Sequence, residues 1–354
     1  MSRLEQVTAA LAERELDALL VTGLVNVRWL TGFTGSSAAA VVPRQGPPRF
    51  LTDFRYLSQS ASQVPEPWER EIGQDLLELA VARVPEGRLG FDDEEMAVRT
   101  HAKLGGMLPE AVELVAAGGL VEDLRAIKDG GELDKLRAAA ALADAALTEV
   151  LTRGLAGRTE RDVAIDLEFT MRRLGAEAAS FPPIIAAGAH GALPHASPRD
   201  VEIPAGTLVV IDWGAQLDGY ASDCTRTYST GELDPRDRAV YDVVLAAQVA
   251  ALAAVRPGPV GRDIDAVARD VIEAAGHGEH FGHGLGHGVG LEIHEGPRLS
   301  QRSETALVPG MVVTVEPGVY VPGAVGVRIE DLVAVTEDGH EVLNGLPKDL
   351  QTVA

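Results

Sequence analysis

The sequence predicts two domains of different class, an α/β domain over residues 1–122 and an α+β domain over 123–354. Three observations predict this. At 354 residues the chain exceeds the usual size of a single hydrophobic core. Its first 120 residues alternate between strand-like and helix-like patterns. Near Val121–Leu124 the pattern changes to a long Ala/Leu-rich helix, and apolar strands with antiparallel turn signals come later.

The elements follow in order. Residues 2–16 place Leu4, Val7 and Leu11 at helical spacing, and DALLVTG is a short apolar run. TGFTGSSAAAVV reads as turn-rich, and PRFLTDFRYLSQSASQV as a strand ending near Asp53 followed by a helix. RLGFDDEEM and VELVAAGG are strand candidates around a helix at about 95–108, and no catalytic constellation stands out in this half. A long helix runs from Glu132, and a second at about 158–174 opens with Thr159-Glu160 and closes at Gly175. PIIAAG reads as β, and GTLVVIDWGAQLDGYASDCTRTYS as a hairpin turning at Leu217-Asp218-Gly219, since Asp-Gly between apolar strands is a strong turn signal. Helices at about 235–254 and 262–275 precede strands around MVVTVEPGVYV and VGVRIEDLVAVT. No internal repeat or low-complexity tract interrupts the chain.

Composition narrows the function classes. A hydrophobic fraction of 46% supports a sizeable core. A formal charge of −22 argues against nucleic acid and anionic membrane as general partners. The single cysteine, Cys224, allows no intrachain disulfide. The N-terminus lacks the basic and apolar regions of a signal peptide, and no run of about eighteen apolar residues marks a membrane span. A cytoplasmic enzyme is the expectation.

The most informative stretch is Phe281–Glu295, FGHGLGHGVGLEIHE, which sets His283, His287 and His294 within twelve positions. Glycine at alternate positions permits close approach of the backbone to a ligand and unusual backbone angles, and clustered imidazoles supply metal ligands and proton-transfer groups. Three other readings compete. The stretch is too apolar for a surface loop, matches no G-x-G-x-x-G phosphate loop, and fails H-E-x-x-H because Gly284 follows His283. Four acids strengthen the metal reading: Asp212, Asp223, Glu316 and Glu330 all sit among apolar or small residues in strand-like runs. Any one of them alone could be a partner for Arg226 or Arg328. Four gathered carboxylates repel one another or take up protons, whereas two divalent cations bring the summed charge to about zero. Oxygen ligands with one imidazole suit manganese, cobalt or zinc.

These residues carry a resemblance. Asp212/Asp223 at D-x10-D, His283/His287 in H-G-x-G-H, His294 in H-E, Val315–Gly318 as V-E-P-G and Arg328–Asp331 as R-I-E-D look like the pita-bread metallopeptidases, within them the aminopeptidase P and prolidase group. WLTGFTGS and LTDFRY resemble the creatinase-type N-terminal domain of that group, so the likeness spans the chain. The resemblance implies a creatinase-like domain at 1–122 and a catalytic pita-bread domain at 123–354. It implies Asp212 on one metal, Asp223 and Glu330 bridging both, and His287 and Glu316 on the second, with manganese first and cobalt or zinc as alternatives. It implies catalytic roles for His195, His283, His294 and Glu316, and substrate binding by Arg298 and Arg328. The implied reaction is hydrolysis of the Xaa-Pro imide bond by a hydroxide bridging two metals, in Xaa-Pro dipeptides because Arg298 can hold a terminal carboxylate. The alternatives are an aminopeptidase P acting on longer peptides, a metal-free creatinase-type C–N hydrolase, and a binding module without catalysis. A homodimer is implied, with the TGFTGS loop at residues 31–36 reaching the partner's active site.

Other residues take smaller parts. Thr225 and Thr227 share a strand face with Asp223, so they either support the site or pack. Tyr320 reads as packing, Cys224 as core filler pointing away from the metals, and Asp53 with Arg55 as organisers of the first domain.

Overall fold

In the computed structural model, which describes residues 1–354, the chain divides into two units, Met1–Arg125 and Ala126–Ala354. The sequence boundary at 122/123 falls inside the helix Leu120–Arg125, where Arg125 Nη1 donates to buried Asn26 Oδ1 at 2.7 Å.

The first unit is built on a six-stranded mixed sheet ordered Glu69–Ile72, Arg49–Thr52, Ala38–Pro43, Ala18–Val21, Gly87–Phe91, Val112–Ala116. Helix Arg3–Glu13 opens on a Ser2/Glu5 capping box and buries Val7 and Leu11. Here AAAVV is not a turn: Ala38–Pro43 is a buried strand of this sheet. Its small uniform side chains fit a strand covered on both faces but lack the alternation that marks one in sequence. The edge strand Glu69–Ile72 reads EREI, and its exposed charges suit an edge that must not recruit another chain. Asp53 caps the short turn Phe54–Tyr56 and pairs with Arg55 through Nε (2.9 Å) and Nη2 (2.8 Å).

The second unit starts with helix Gly130–Leu151, capped reciprocally by Asp129 and Glu132, and helix Glu160–Arg173, capped by Thr159. Leu147, Val150, Val163, Leu167 and Met171 from these helices share a core with Ile211 and Trp213. A second helix pair, Pro235–Ala254 and Gly261–Ala274, buries Val244, Ala251, Ile264 and Ile272 with Val313, Val315 and Val333. Two sheets carry the site. One orders Cys224–Ser229, Leu208–Trp213, Ile184–Ala187, and the other Glu295–Leu299, Gly286–Gly288, Val312–Val315, Asp331–Val335, His340–Val342. The expected turn forms with Leu217 opposite Tyr220 and positive φ at Asp218 (49°) and Gly219 (82°), the pattern that matches strand twist in a two-residue hairpin. No helix is long and apolar enough to cross a membrane.

Candidate metal centre and active site

The four acids reach one place because strands end there. Asp212 lies within Leu208–Trp213, opposite Thr225 on Cys224–Ser229. The other three correct the sequence expectation of strand positions. Asp223 follows strand Tyr220–Ala221 and precedes Cys224–Ser229, Glu316 separates Val312–Val315 from Gly318–Val321, and Glu330 separates Val325–Arg328 from Asp331–Val335. At each break the chain leaves one sheet for another. The backbone stays paired across the gaps, Glu316 N–H donating to Leu285 O (2.8 Å) and Glu330 N–H to Thr225 O (3.0 Å). A carboxylate at such a break is aimed by fixed backbone without competing for a ladder position.

The glycine pattern also has a different cause from the one expected. None of Gly284, Gly286, Gly288 or Gly290 has positive φ. A Cβ on Gly286 would lie 2.0 Å from Thr314 O, and one on Gly288 2.0 Å from Gly296 O. Glycine therefore admits neighbouring protein backbone, which lets the His287 strand fit between its two partners.

All ten residues singled out in the sequence, His195, Asp212, Asp223, His283, His287, His294, Arg298, Glu316, Arg328 and Glu330, line one cavity of about 520 Å³. At its base, ligating atoms of Asp223, His287 and Glu330 lie within 4.8 Å of one another. His287 Nε2 stands 3.6 Å from Asp223 Oδ2 and 3.3 Å from Glu316 Oε1. His287 Nδ1 contacts Gly288 O at 3.1 Å, so this nitrogen carries the proton and Nε2 turns its lone pair into the carboxylate cluster, where a cation would accept it. Asp212 Oδ1 and Glu330 Oε1 are buried without a hydrogen-bond partner. Buried carboxylate oxygens facing a cluster of like charge and lacking donors call for cations. The donor set, oxygens with one imidazole, fits divalent ions.

The charge state agrees. Burial, then Glu330 and Asp212, hold Asp223 well above the usual carboxylate range. Burial, then Glu316 and Asp212, do the same to Glu330. Burial pushes Glu316 up to about 7, and raises Asp212 despite the pull of Arg328. Burial also lowers His287 to about 3 and His283 to about 4, keeping both imidazoles neutral near pH 7. Raised carboxylates bind protons in the folded state that the unfolded chain has released. Their contribution to metal-free stability is complete below the ordinary value of 4.5 and is lost as pH rises through the folded value, about 7 for Glu316. Divalent ions displace those protons, so their stabilising effect grows with pH. The expected result is a gap in Tm between manganese-loaded and chelator-treated protein that is wider at about pH 8 than at about pH 5. Thermal scans of both forms measure it, and a pH-independent gap contradicts the assignment.

Threonines organise the acids. Thr225 Oγ1 donates to Glu330 Oε2 (2.6 Å), and Thr227 Oγ1 to the Arg328 carbonyl (2.9 Å). Thr314 Oγ1 donates to Glu316 Oε1 (3.0 Å), a role its β-branched setting in MVVTVEP does not reveal. Cys224 turns away, its Sγ 3.4 Å from Glu330 O and burial raising its pKa. Arg226 pairs with Asp331 at 2.7 Å rather than with any acid of the cluster.

Arg328 and Tyr320 depart from expectation. Arg328 lines the cavity, yet its guanidinium is engaged within the chain: Nη2 to Asp212 (2.5 Å), Nε to Thr225 Oγ1 (3.0 Å), Nη1 to Pro194 O (3.1 Å) and Tyr320 OH (2.9 Å). It clamps the site instead of presenting a free hook to substrate. Tyr320 does more than pack. Because Arg328 can only donate, the Tyr320 hydroxyl accepts from it and gives its own proton to His283 Nε2 at 3.0 Å. His283 Nδ1–H then donates to Gly284 O at 2.8 Å, so one tautomer is fixed.

His195, His294 and Arg298 are exposed where they line the cavity. His294 packs edge-on to His287 with ring centroids 4.5 Å apart. Arg298 sits opposite His287 across the strand pair. Phe181, Pro182, Pro183 and Ile293 add an apolar wall. Only the paired prolines hinted at it, and prolines before a strand have many other uses.

The description Metallopeptidase family M24 matches residues 134–337, and Creatinase/Prolidase N-terminal domain matches residues 3–127. The solved Xaa-Pro dipeptidase from Bacillus anthracis is 38% identical with a TM-score of 0.94, over 99% of this chain and 98% of its own. The X-Pro aminopeptidase from Thermotoga maritima is 33% identical with a TM-score of 0.89, over 97% and 99%. A Xaa-Pro dipeptidase of Pyrococcus furiosus is 35% identical over 98% of this chain and 99% of its own. Fold and cavity thus define a pita-bread metallohydrolase that follows a creatinase-type domain in the chain. The chain belongs to metallopeptidase family M24.

Proposed function

We propose that this enzyme hydrolyses the Xaa-Pro bond of dipeptides with two divalent ions, manganese first among candidates. The observation that carries the dipeptide reading is Arg298: a guanidinium exposed along the cavity, across the strand pair from His287 and in no ion pair of the chain. A proline carboxylate next to the scissile bond would satisfy it by a charge-assisted pair.

Asp212, Asp223, His287, Glu316 and Glu330 would hold the ions. Bound there, divalent ions supply Lewis acidity toward the carbonyl and acidify a water so that it can attack near neutral pH. Glu316, its Oε1 taking the Thr314 hydroxyl, would accept and return a proton beside the ions. His294 and His195 stand at the cavity to donate to the carbonyl oxygen and the departing proline nitrogen. His283, fixed by Tyr320 and Gly284, keeps its Nε2 an acceptor and so holds its side of the cavity neutral. The apolar wall of Phe181, Pro183 and Ile293 offers a surface to a proline ring.

An aminopeptidase reading has one observation in its favour, the likeness to the Thermotoga maritima protein of that name. The complete set of five metal-ligating residues speaks against both the metal-free hydrolase and the binding module. Leu-Pro and Leu-Pro-Xaa tripeptides assayed in parallel on the manganese-loaded protein distinguish the first two readings. The expected result is fast dipeptide release with little tripeptide cleavage. Arg298→Ala should lower dipeptide kcat/KM by about 30-fold, chiefly through KM, the loss of one charge-assisted pair. Equal loss on both substrates, or preferential tripeptide cleavage, removes the carboxylate role and the dipeptide reading.

A further inference from the structure

His195 lines the cavity from the loop after strand Ile184–Ala187, exposed and with no hydrogen bond from its imidazole within the chain. Whatever holds this ring in place must act through its backbone. That backbone is fastened at both ends to one side chain, Glu160, the first residue of helix Glu160–Arg173, which is 1% exposed and outside the cavity lining. Its Oε1 accepts from Ala187 N–H (3.0 Å) and Arg199 Nη2 (3.0 Å), and its Oε2 from Arg199 N–H (3.0 Å) and Arg199 Nε (3.1 Å). His190 Nδ1 lies 3.0 and 2.9 Å from the two oxygens. Burial alone would raise the carboxyl, but Arg199 and the two backbone amides bring its pKa below the ordinary value.

The donors therefore bracket residues 187–199, the segment that carries Pro194, His195, Ser197 and Pro198 to the cavity. Between the fastened ends the loop makes two further close contacts. Arg328 Nη1 donates to Pro194 O at 3.1 Å, just before His195. Gly191 passes so close to Gly326 that a Cβ on the latter would lie 1.7 Å from Gly191 O. A buried carboxylate with donors from residues 187, 190 and 199 closes a loop that would otherwise keep its chain entropy.

We infer that Glu160 is a positioning residue for His195, holding the 187–199 loop so that the imidazole meets substrate at a fixed place. This rests on the Xaa-Pro hydrolysis proposed above for its kinetic consequence, but not for its structural one. Glu160→Gln keeps the shape while turning one oxygen into a donor that faces other donors. Two readouts on the manganese-loaded enzyme test the inference. Hydrogen exchange of peptides covering 187–199 should speed up by about tenfold or more in Glu160→Gln, with exchange over Val312–Val315 unchanged. Dipeptide kcat should fall by about 100-fold at unchanged metal content, as misplacement of a reacting group by about 1 Å costs. In a His195→Ala background, Glu160→Gln should cost no further activity, because its effect passes through a ring already removed. Arg199→Ala, a change at a half-exposed side chain, should show the same non-additivity at smaller size and serves if Glu160→Gln folds poorly. Unchanged exchange in the loop overturns the inference, as does full additivity with His195→Ala. Wild-type protein that cleaves neither peptide overturns the proposed function instead, and the exchange result then judges Glu160 alone.

Discussion

Glu330→Gln should lower hydrolysis by about 1000-fold or more, equivalent to about 4 kcal/mol of transition-state stabilisation, and leave less than two ions bound per chain. The physical reason is specific to this carboxylate. Its Oε2 already takes the Thr225 hydroxyl, and its Oε1 is buried with no donor, facing Glu316 and Asp212. An amide there offers one neutral oxygen instead of a charged pair, so it would hold divalent ions more weakly. The same substitution should have the opposite effect on the metal-free fold. Removing one member of a repelling set relieves the others, so chelator-treated Glu330→Gln should melt above chelator-treated wild type. Activity, metal content and the two melting curves check this together. Wild-type metal content at near wild-type activity would remove Glu330 from the ligand set.

The second large effect is expected at Arg328. Arg328→Met strips the counter-charge from Asp212 and leaves Thr225, Tyr320 and the Pro194 carbonyl each short of a donor. Breaking a buried pair by removing one partner costs about 3–5 kcal/mol, and the metal-free protein should lose stability of that order in urea. The metal-loaded protein should lose less, because a cation beside Asp212 takes over part of the compensation. Turnover should fall by about 100-fold even at full metal occupancy, since Tyr320 is no longer obliged to donate to His283 and the loop bearing His195 loses a tether. Equal destabilisation with and without metal would show that Asp212 does not face the ions.

The contrast between these two residues shows how far the sequence could be read. Glu330, like Asp212 and Asp223, stands out because an acid among apolar neighbours is costly unless something compensates it. That oddity, repeated four times and joined to a glycine-framed imidazole, suggested a metal site from the residues themselves, whereas His195, Arg298 and Arg328 joined it only through the family resemblance. The helix start at Thr159 and the Asp218-Gly219 turn were legible for a similar reason, since each is a local rule with its residues adjacent in the chain. What stayed hidden depends on partners far apart in sequence. Arg328 reads as a substrate hook until Asp212, Thr225, Tyr320 and Pro194 are seen to use its donors. Tyr320 reads as packing until Arg328 forces the direction of its proton. The alternating glycines suggest a ligand, but the backbone they admit belongs to strands Glu295–Leu299 and Val312–Val315. Glu160 looks like an ordinary acid in the first turn of a helix, where such residues are common.

The central proposal is that five side chains, Asp212, Asp223, His287, Glu316 and Glu330, form one site for two divalent ions. Equilibrium dialysis of the metal-free protein against manganese at about pH 8, with the bound metal counted per chain, tests that most directly. It predicts two ions per chain in wild type, both released as the solution is acidified toward about pH 5, where Glu316 and its neighbours are protonated again. No saturable binding in wild type, or two ions still bound after Asp223 and Glu330 are both replaced by their amides, would contradict it.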